Sequence, residues 1–297
     1  MLESFLHAGT KMNLPFRALA LTRNARHFAN YLPHIASDSR VELLESDVEA
    51  MPIPDGPVDY VVHSLFAPAA LPEMEKHFEL ATGKLLEIAA EKGACGCLLC
   101  STGAVYKPAV DRAPISEDWP RFGAGYPLSY ARIRAQVEDQ WAAGCSKSGM
   151  PGVIARGFAF VGPRLPLDGQ FAVGNFLGDL LLGRRIKVRG DGTPIRSYLY
   201  AADLAARLWL LLLGGQPGPY NVGSDRTLTI QEAAHAVAGL LCPPAGIDLL
   251  LEDSTFSYYV PDTALIDQAF GLAEPIAFAD ALARTWRWLQ KPMRTER

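Results

Sequence analysis

The first two-thirds of the chain alternate short apolar runs with amphipathic stretches of helical period, and that rhythm restricts the fold more than any other feature. Residues 16–21 (FRALAL), 41–44 (VELL), 58–63 (VDYVVH), 97–101 and 153–161 (VIARGFAFV) read as strands. Between them, residues 72–92 carry Phe78, Leu80, Leu85, Ile88 and Ala89 at helical spacing, with Gly93 as the stop. Residues 128–143 read as the next helix. Strands alternating with helices of this length predict an α/β fold: a doubly wound parallel sheet with helices on both faces.

After Gly162-Pro163 the rhythm changes. The stretch PRLPLDGQ leads to a helix over 171–182, then the short strand IKVRG and the turn DGTP. Thr229 and Glu232 are spaced as a capping box, opening a helix that runs to Leu241. These segments predict a smaller C-terminal α/β lobe. The expected division is a sheet domain over 1–162, with 193–212 returning to it, and a substrate lobe over 163–192 and 213–297. Segments that close over a sheet's carboxyl edge usually bind substrate.

Composition removes several classes. The net charge is -4 and no basic run forms a nucleic-acid footprint, so no nucleic-acid partner is expected. The longest apolar run, near residues 208–215, is well short of the roughly 20 residues a bilayer span requires. The N-terminus lacks the basic and apolar regions of a signal peptide, so a cytoplasmic location without a membrane partner is expected. The five cysteines are odd in number and clustered, unlike a secreted disulfide framework. Cys97 and Cys100 match C-x-x-C, but they lie in an apolar strand where residues three apart face opposite sides. Packing is the expected role, and no metal site is expected.

Two short motifs carry chemistry. Tyr130 and Arg134 are four residues apart at the start of a helix and share one face. A phenol normally ionises near pH 10, and a fixed neighbouring cation favours the phenolate. Such a tyrosine can remove a proton from a sugar hydroxyl while hydride leaves the same carbon. Ser101 and Thr102 end a strand, where hydroxyls face the crevice in which open α/β sheets bind ligands. Either motif alone is commonplace.

Together, CSTGAVY and PLSYARIRAQVE resemble the S-S-x-x-V-Y and Y-x-x-x-K-x-x-x-E pair of the extended short-chain dehydrogenase/reductase family. That family includes NAD-dependent nucleotide-sugar epimerases, dehydratases and decarboxylases. The segments GFAFVGPRLP, FAVGNFLGDLLLGRRIKVRGDGTPIRSYLYAADLA, PYNVGSDRTLTIQEAA and YYVPDT extend the likeness over nearly the whole chain. The resemblance implies a Rossmann-like sheet, a nucleotide-sugar substrate, NAD or NADP as cofactor, and a homodimer. It implies Tyr130 as catalytic acid or base, Thr102 as its hydroxyl partner, and Arg134 in the place of the lysine that holds the nicotinamide ribose. Ser101, Asp47 and Val48 fall on the cofactor side, Asp47 and Val48 where the family cradles adenine. Asn175, Arg196 and Tyr200 fall on the substrate side, Arg196 as the pyrophosphate fork.

The chain departs from the family in four places. The opening strand and its G-x-x-G-x-x-G turn are missing, and Met1–Leu6 read as the start of the helix that normally follows. A truncation is expected, through a mis-set start codon or a deletion, and it would leave unpaired edges on both flanking strands. Arg134 replaces lysine, Ala159 stands where many relatives carry asparagine, and Gly103-Ala104 replace the Asp-Glu pair of 4,6-dehydratases. Thr22-Arg23 follow the first apolar run, so Arg23 leaves NADP open beside NAD. An epimerase is favoured by elimination, a sugar ketoreductase comes next, and a dehydratase, a decarboxylase or a silent binding scaffold remain as alternatives.

Overall fold

The computed structural model describes residues 1–47, 50–65, 71–109, 112–250 and 257–291. The chain runs α1 (Leu2–Met12), β1 (Ala18–Thr22), α2 (Ala25–Tyr31), α3 (Pro33–Ala36), β2 (Val41–Glu45), β3 (Tyr60–His63) and α4 (Leu71–Lys92). It continues through β4 (Gly96–Thr102), α5 (Tyr130–Ser148), β5 (Gly152–Gly157), β6 (Phe160–Val161), α6 (Ala172–Leu181), β7 (Ile186–Arg189), β8 (Ile195–Ser197) and β9 (Leu199–Tyr200). Then come α7 (Ala201–Gly214), β10 (Gly218–Val222), β11 (Thr227–Thr229), α8 (Ile230–Ala238), β12 (Ile247–Leu250), β13 (Tyr258–Tyr259), α9 (Ala264–Phe270) and α10 (Phe278–Leu289). Its contacts group it into two units: 1–101 with 122–155 and 205–219, and 102–121 with 156–204 and 220–297. Sequence rhythm drew its border at 162; the contacts give 156–204 to the second unit and 205–219 to the first.

The first unit is built on parallel strands. Its β3 and β4 run parallel, with Val61 beside Cys97, and belong to a four-stranded sheet of order β10-β5-β4-β3 whose strand β10 continues into the residues of the second unit. Consecutive residues Leu98 and Leu99 are both fully buried, as a strand covered on both faces requires. Helices α4 and α5 pack together and supply Phe78, Ile133, Val137 and Trp141 to one core with Leu99 and Ile154. Ser129 starts α5 by accepting a hydrogen bond from the Arg132 N–H, and Gly149 ends it in the left-handed region at φ 67°.

A separate parallel pair, β1 with β2, carries a small core of Leu6, Ile35 and Val41 under α1. Among the described residues, β1 and β2 form a two-stranded sheet separate from the one that holds β3 and β4.

The second unit has its own core, with Val173, Phe176, Leu177, Ile186, Val237 and Leu282 at its centre. The predicted capping box at the head of α8 is present: the Thr229 hydroxyl accepts from the Glu232 N–H, and the Glu232 carboxylate accepts from the Thr229 N–H. The apolar run 153–161 is broken into β5 and β6, since the Phe158 N–H turns to the Val222 carbonyl. A Cβ at Gly174 would collide with the Pro166 carbonyl, so glycine is what lets the 165–167 loop lie against α6.

Candidate active site

Within the first unit the site is built where β4 ends and α5 begins. Tyr130 is the first residue of α5 and is half-buried, resting on the core formed by Leu99, Ile133 and Trp141. Arg134 lies one turn further on, coupled electrostatically to the Tyr130 phenol and the Glu138 carboxylate. It is only 2% exposed, and burial lowers its guanidinium pKa before those two anion-forming groups partly offset the effect. Its Nη2 donates to the Cys100 carbonyl at 2.6 Å, and the guanidinium lies over the Phe78 ring at 4.8 Å. The expected ribose clamp is therefore turned into the body of the unit, where arginine's length and planarity reach a strand carbonyl and an aromatic face.

Ser101 behaves similarly. Its hydroxyl donates to the Glu138 carboxylate at 2.6 Å, and Glu138 is 1% exposed. Sequence reasoning gave Glu138 no role, although it is the closing acid of the Tyr-x-x-x-Arg-x-x-x-Glu series on one helix face. Arg23 and Asp47 are exposed just beyond the carboxyl ends of β1 and β2. Val48 lies outside the described residues. His63, which sequence reasoning also passed over, is completely buried and bonded to the Thr82 hydroxyl at 3.1 Å. Burial, reinforced by the Arg134 charge, pushes its pKa down to about 3, so it is neutral at pH 7. Cys97 faces Cys145 in the core; that thiol contact and burial raise the Cys97 pKa, and burial lifts Cys100 to about 11. Such thiols are inert packing groups at neutral pH.

Within the second unit, Thr102 caps the single turn Gly103–Val105 by accepting from the Ala104 N–H at 3.1 Å. Accepting that bond leaves the hydroxyl its own hydrogen to donate. Arg196 is held by the Ile195 carbonyl at 2.8 Å and by the Ser257 carbonyl and hydroxyl at 3.1 and 2.8 Å. Its guanidinium also lies 5.9 Å from the Tyr259 ring centre, and burial lowers its pKa. Asn175 spends its amide on the Gly169 carbonyl at 2.9 Å, and Tyr200 lies under Arg284 at 5.9 Å. Asn175 and Tyr200 are half-buried.

The second unit also holds a polar network that no motif reading singled out. Tyr106 donates to Asn221 at 2.7 Å, and Arg156 donates to the Tyr106 oxygen at 2.8 Å and the Glu117 carbonyl at 3.0 Å. Asn221 adds bonds to the Ile115 and Asp262 carbonyls at 2.8 and 3.2 Å. Burial raises the Glu117 pKa, and its carboxylate accepts from the Asn221 N–H at 2.8 Å. This network fixes the segment that follows Thr102. Its visible signal was the pairing of V-Y after the strand with Y-N-V downstream.

Parallel strands covered by helices, with ligands bound beyond their carboxyl ends, are the architecture of the dinucleotide-using class of α/β folds. The sequence matches the profile of the NAD dependent epimerase/dehydratase family over residues 15–223. It is 30% identical to UDP-glucuronic acid decarboxylase 1 of Arabidopsis thaliana over 229 residues, 73% of this chain and 51% of that protein. A second A. thaliana relative, UDP-glucuronic acid decarboxylase 6, is 36% identical over 97 residues, 33% of this chain and 28% of that one. These matches thus span between about a quarter and a half of the relatives' length. In fold, the chain is similar to dTDP-glucose 4,6-dehydratase from Bacillus anthracis in complex with NAD. That match has TM-score 0.81 and 17% identity, covering 97% of this chain and 93% of that one. UDP-glucuronic acid 4-epimerase from Bacillus cereus superposes with TM-score 0.80 and 18% identity, again covering 97% and 93%. The chain belongs to the NAD-dependent epimerase/dehydratase family, with the Rossmann-like fold of these enzymes.

Of the positions expected to meet a dinucleotide, Arg23 and Asp47 are exposed beyond two strand ends and Tyr130 is half-buried at the helix start. Arg134 and Ser101 are committed to Cys100 and Glu138 instead. Among the described residues, no helix is long and apolar enough to cross a membrane.

Proposed function

We propose that this protein oxidises a hydroxyl, at C4, of a nucleotide-activated sugar and that epimerisation is the net outcome. Arg23, Asp47 and Tyr130 would hold NAD, which would supply the acceptor and then the donor of a hydride at the sugar carbon. The Tyr130 oxygen, as phenolate, takes the hydroxyl proton and, as phenol, gives it back as the ketosugar is reduced. The Thr102 hydroxyl donates a hydrogen bond to the reacting oxygen, steadying the charge that develops there. Arg196 and Tyr200 receive the pyrophosphate and sugar, Asn175 contributes its carbonyl oxygen, and Asp47 and Arg23 flank the adenosine end.

The observation that carries this reading is Tyr130 itself: a half-buried phenol at the head of α5, coupled to a permanent cation one turn away. Gly103 and Ala104 carry no acid for water elimination, which favours epimerase over dehydratase. The UDP-glucuronic acid decarboxylase relatives support a UDP-linked sugar and keep decarboxylation as an alternative. Incubating the purified chain and NAD with UDP-, dTDP-, GDP- and CDP-sugars, followed by chromatography, tests it. Conversion of a sugar to its C4 epimer is expected; no conversion of any overturns it. Parallel titrations with NAD and NADP decide whether Arg23 meets a 2′-phosphate. A catalytically silent scaffold is the second reading, favoured by the inward turn of Arg134. Failure to bind either dinucleotide would select it.

A homodimer through the tyrosine-bearing helix α5 accompanies this proposal, on the strength of the family likeness. Sedimentation velocity tests it, with a two-chain species expected. A cytoplasmic location belongs to the same proposal and is tested by cell fractionation.

A further inference from the structure

Arg134 poses a problem that the family likeness does not solve. A charged group this deeply buried is costly unless several partners compensate it. Here the compensation comes from three elements of one unit. The Cys100 carbonyl belongs to β4, the Phe78 ring to α4, and the Glu138 carboxylate to the next turn of α5. Glu138 in turn holds the Ser101 hydroxyl, so two consecutive residues at the end of β4 are tied to one face of α5. The same face begins with Tyr130.

We propose that Arg134 is a positioning residue: with Glu138 it clasps the end of β4 to α5, fixing the strand end that leads into Thr102 against the helix that bears Tyr130, and it does not hold the cofactor's ribose. The inference rests on the proposed function for its catalytic consequence but not for the clasp. A planar guanidinium suits the task because it donates in plane to the strand carbonyl while its face rests on Phe78. A lysine ammonium has no such face.

The test compares the parent chain with Arg134→Met and Arg134→Lys by thermal melting, by calorimetric titration with NAD, and by turnover of UDP-glucuronic acid. Both variants are expected to melt below the parent, the methionine variant more so, and to keep NAD affinity within about threefold. In Arg134→Met, kcat is expected to fall by about tenfold or more while KM stays within about threefold. Equal melting temperatures, with NAD affinity weakened about tenfold in Arg134→Met and kept in Arg134→Lys, would overturn the proposal. Should Arg134→Met not fold, Arg134→Lys carries the same two readouts. Should the parent bind neither NAD nor sugar nucleotide, the proposed function fails, and melting alone decides the clasp: lowered supports it, unchanged overturns it.

Discussion

The β1–β2 pair and the β3–β4–β5 sheet belong to one unit and are both parallel, yet they are buried to very different degrees. In β4, Leu98 and Leu99 are fully buried, and α4 and α5 add Phe78 and Trp141 around Leu99. In β1, Leu19 is 41% exposed, and the small apolar core that the pair shares with α1 has Leu6, Ile35 and Val41 as its buried members. A parallel strand normally needs cover on both faces and a partner on each edge. The pair meets neither condition as fully as the sheet does, so apolar strand composition alone does not make a strand stable; neighbours do.

This contrast can be tested at several scales. The largest effect belongs to the sheet core: Leu99→Ala should cost about 2–5 kcal/mol in urea unfolding, as cavities in packed interiors do. Leu19→Ala, at an already exposed site, should cost about 0.5 kcal/mol or less. Equal costs would erase the distinction. Next, amide hydrogen exchange followed by mass spectrometry should label β1 and β2 well before β4 and β5, because locally thin cores open first. Simultaneous labelling would join the two regions into one cooperative block.

A smaller effect concerns acid. His63 is folded with a pKa near 3, far below its unfolded value of about 6.5. Between those values the unfolded chain binds more protons, so this group's stabilising contribution is full above the unfolded pKa and declines as pH falls toward 3. His63→Gln should flatten the acid limb of melting temperature against pH between about 6.5 and 3. An unchanged limb would assign acid sensitivity elsewhere. The smallest effect is at the edge of the pair, where Arg17 and Glu42 meet at 2.7 Å with side chains 77% and 62% exposed. Arg17→Ala should change unfolding by less than about 1 kcal/mol, and that change should shrink in added salt.

The fold was legible in the sequence because period and length separate strand from helix: each apolar run read as a strand became one, with the 153–161 run split where Phe158 turns to Val222. The head of α8 at Ile230 was legible through the Thr229 cap, which acts locally, whereas Ser129 caps α5 so that it begins at Tyr130, two residues inside the start expected at 128. The site was legible as residue types at fixed spacing, but not as orientation. Nothing in Tyr-x-x-x-Arg says that the arginine turns inward, because its partners Cys100 and Phe78 come from other elements. His63 and the Arg156–Tyr106–Asn221 network escaped for the same reason: their significance comes from burial and long-range bonding, not from local pattern.

The most direct test of the chemistry is the rate of sugar epimerisation by Tyr130→Phe, measured beside the parent with saturating NAD. The substitution removes one oxygen from a half-buried ring and should leave UDP-sugar affinity nearly intact. A fall in turnover of about 10²–10⁴-fold is predicted, the usual worth of a positioned acid–base group. Turnover equal to the parent's would contradict a proton-transferring role for this phenol.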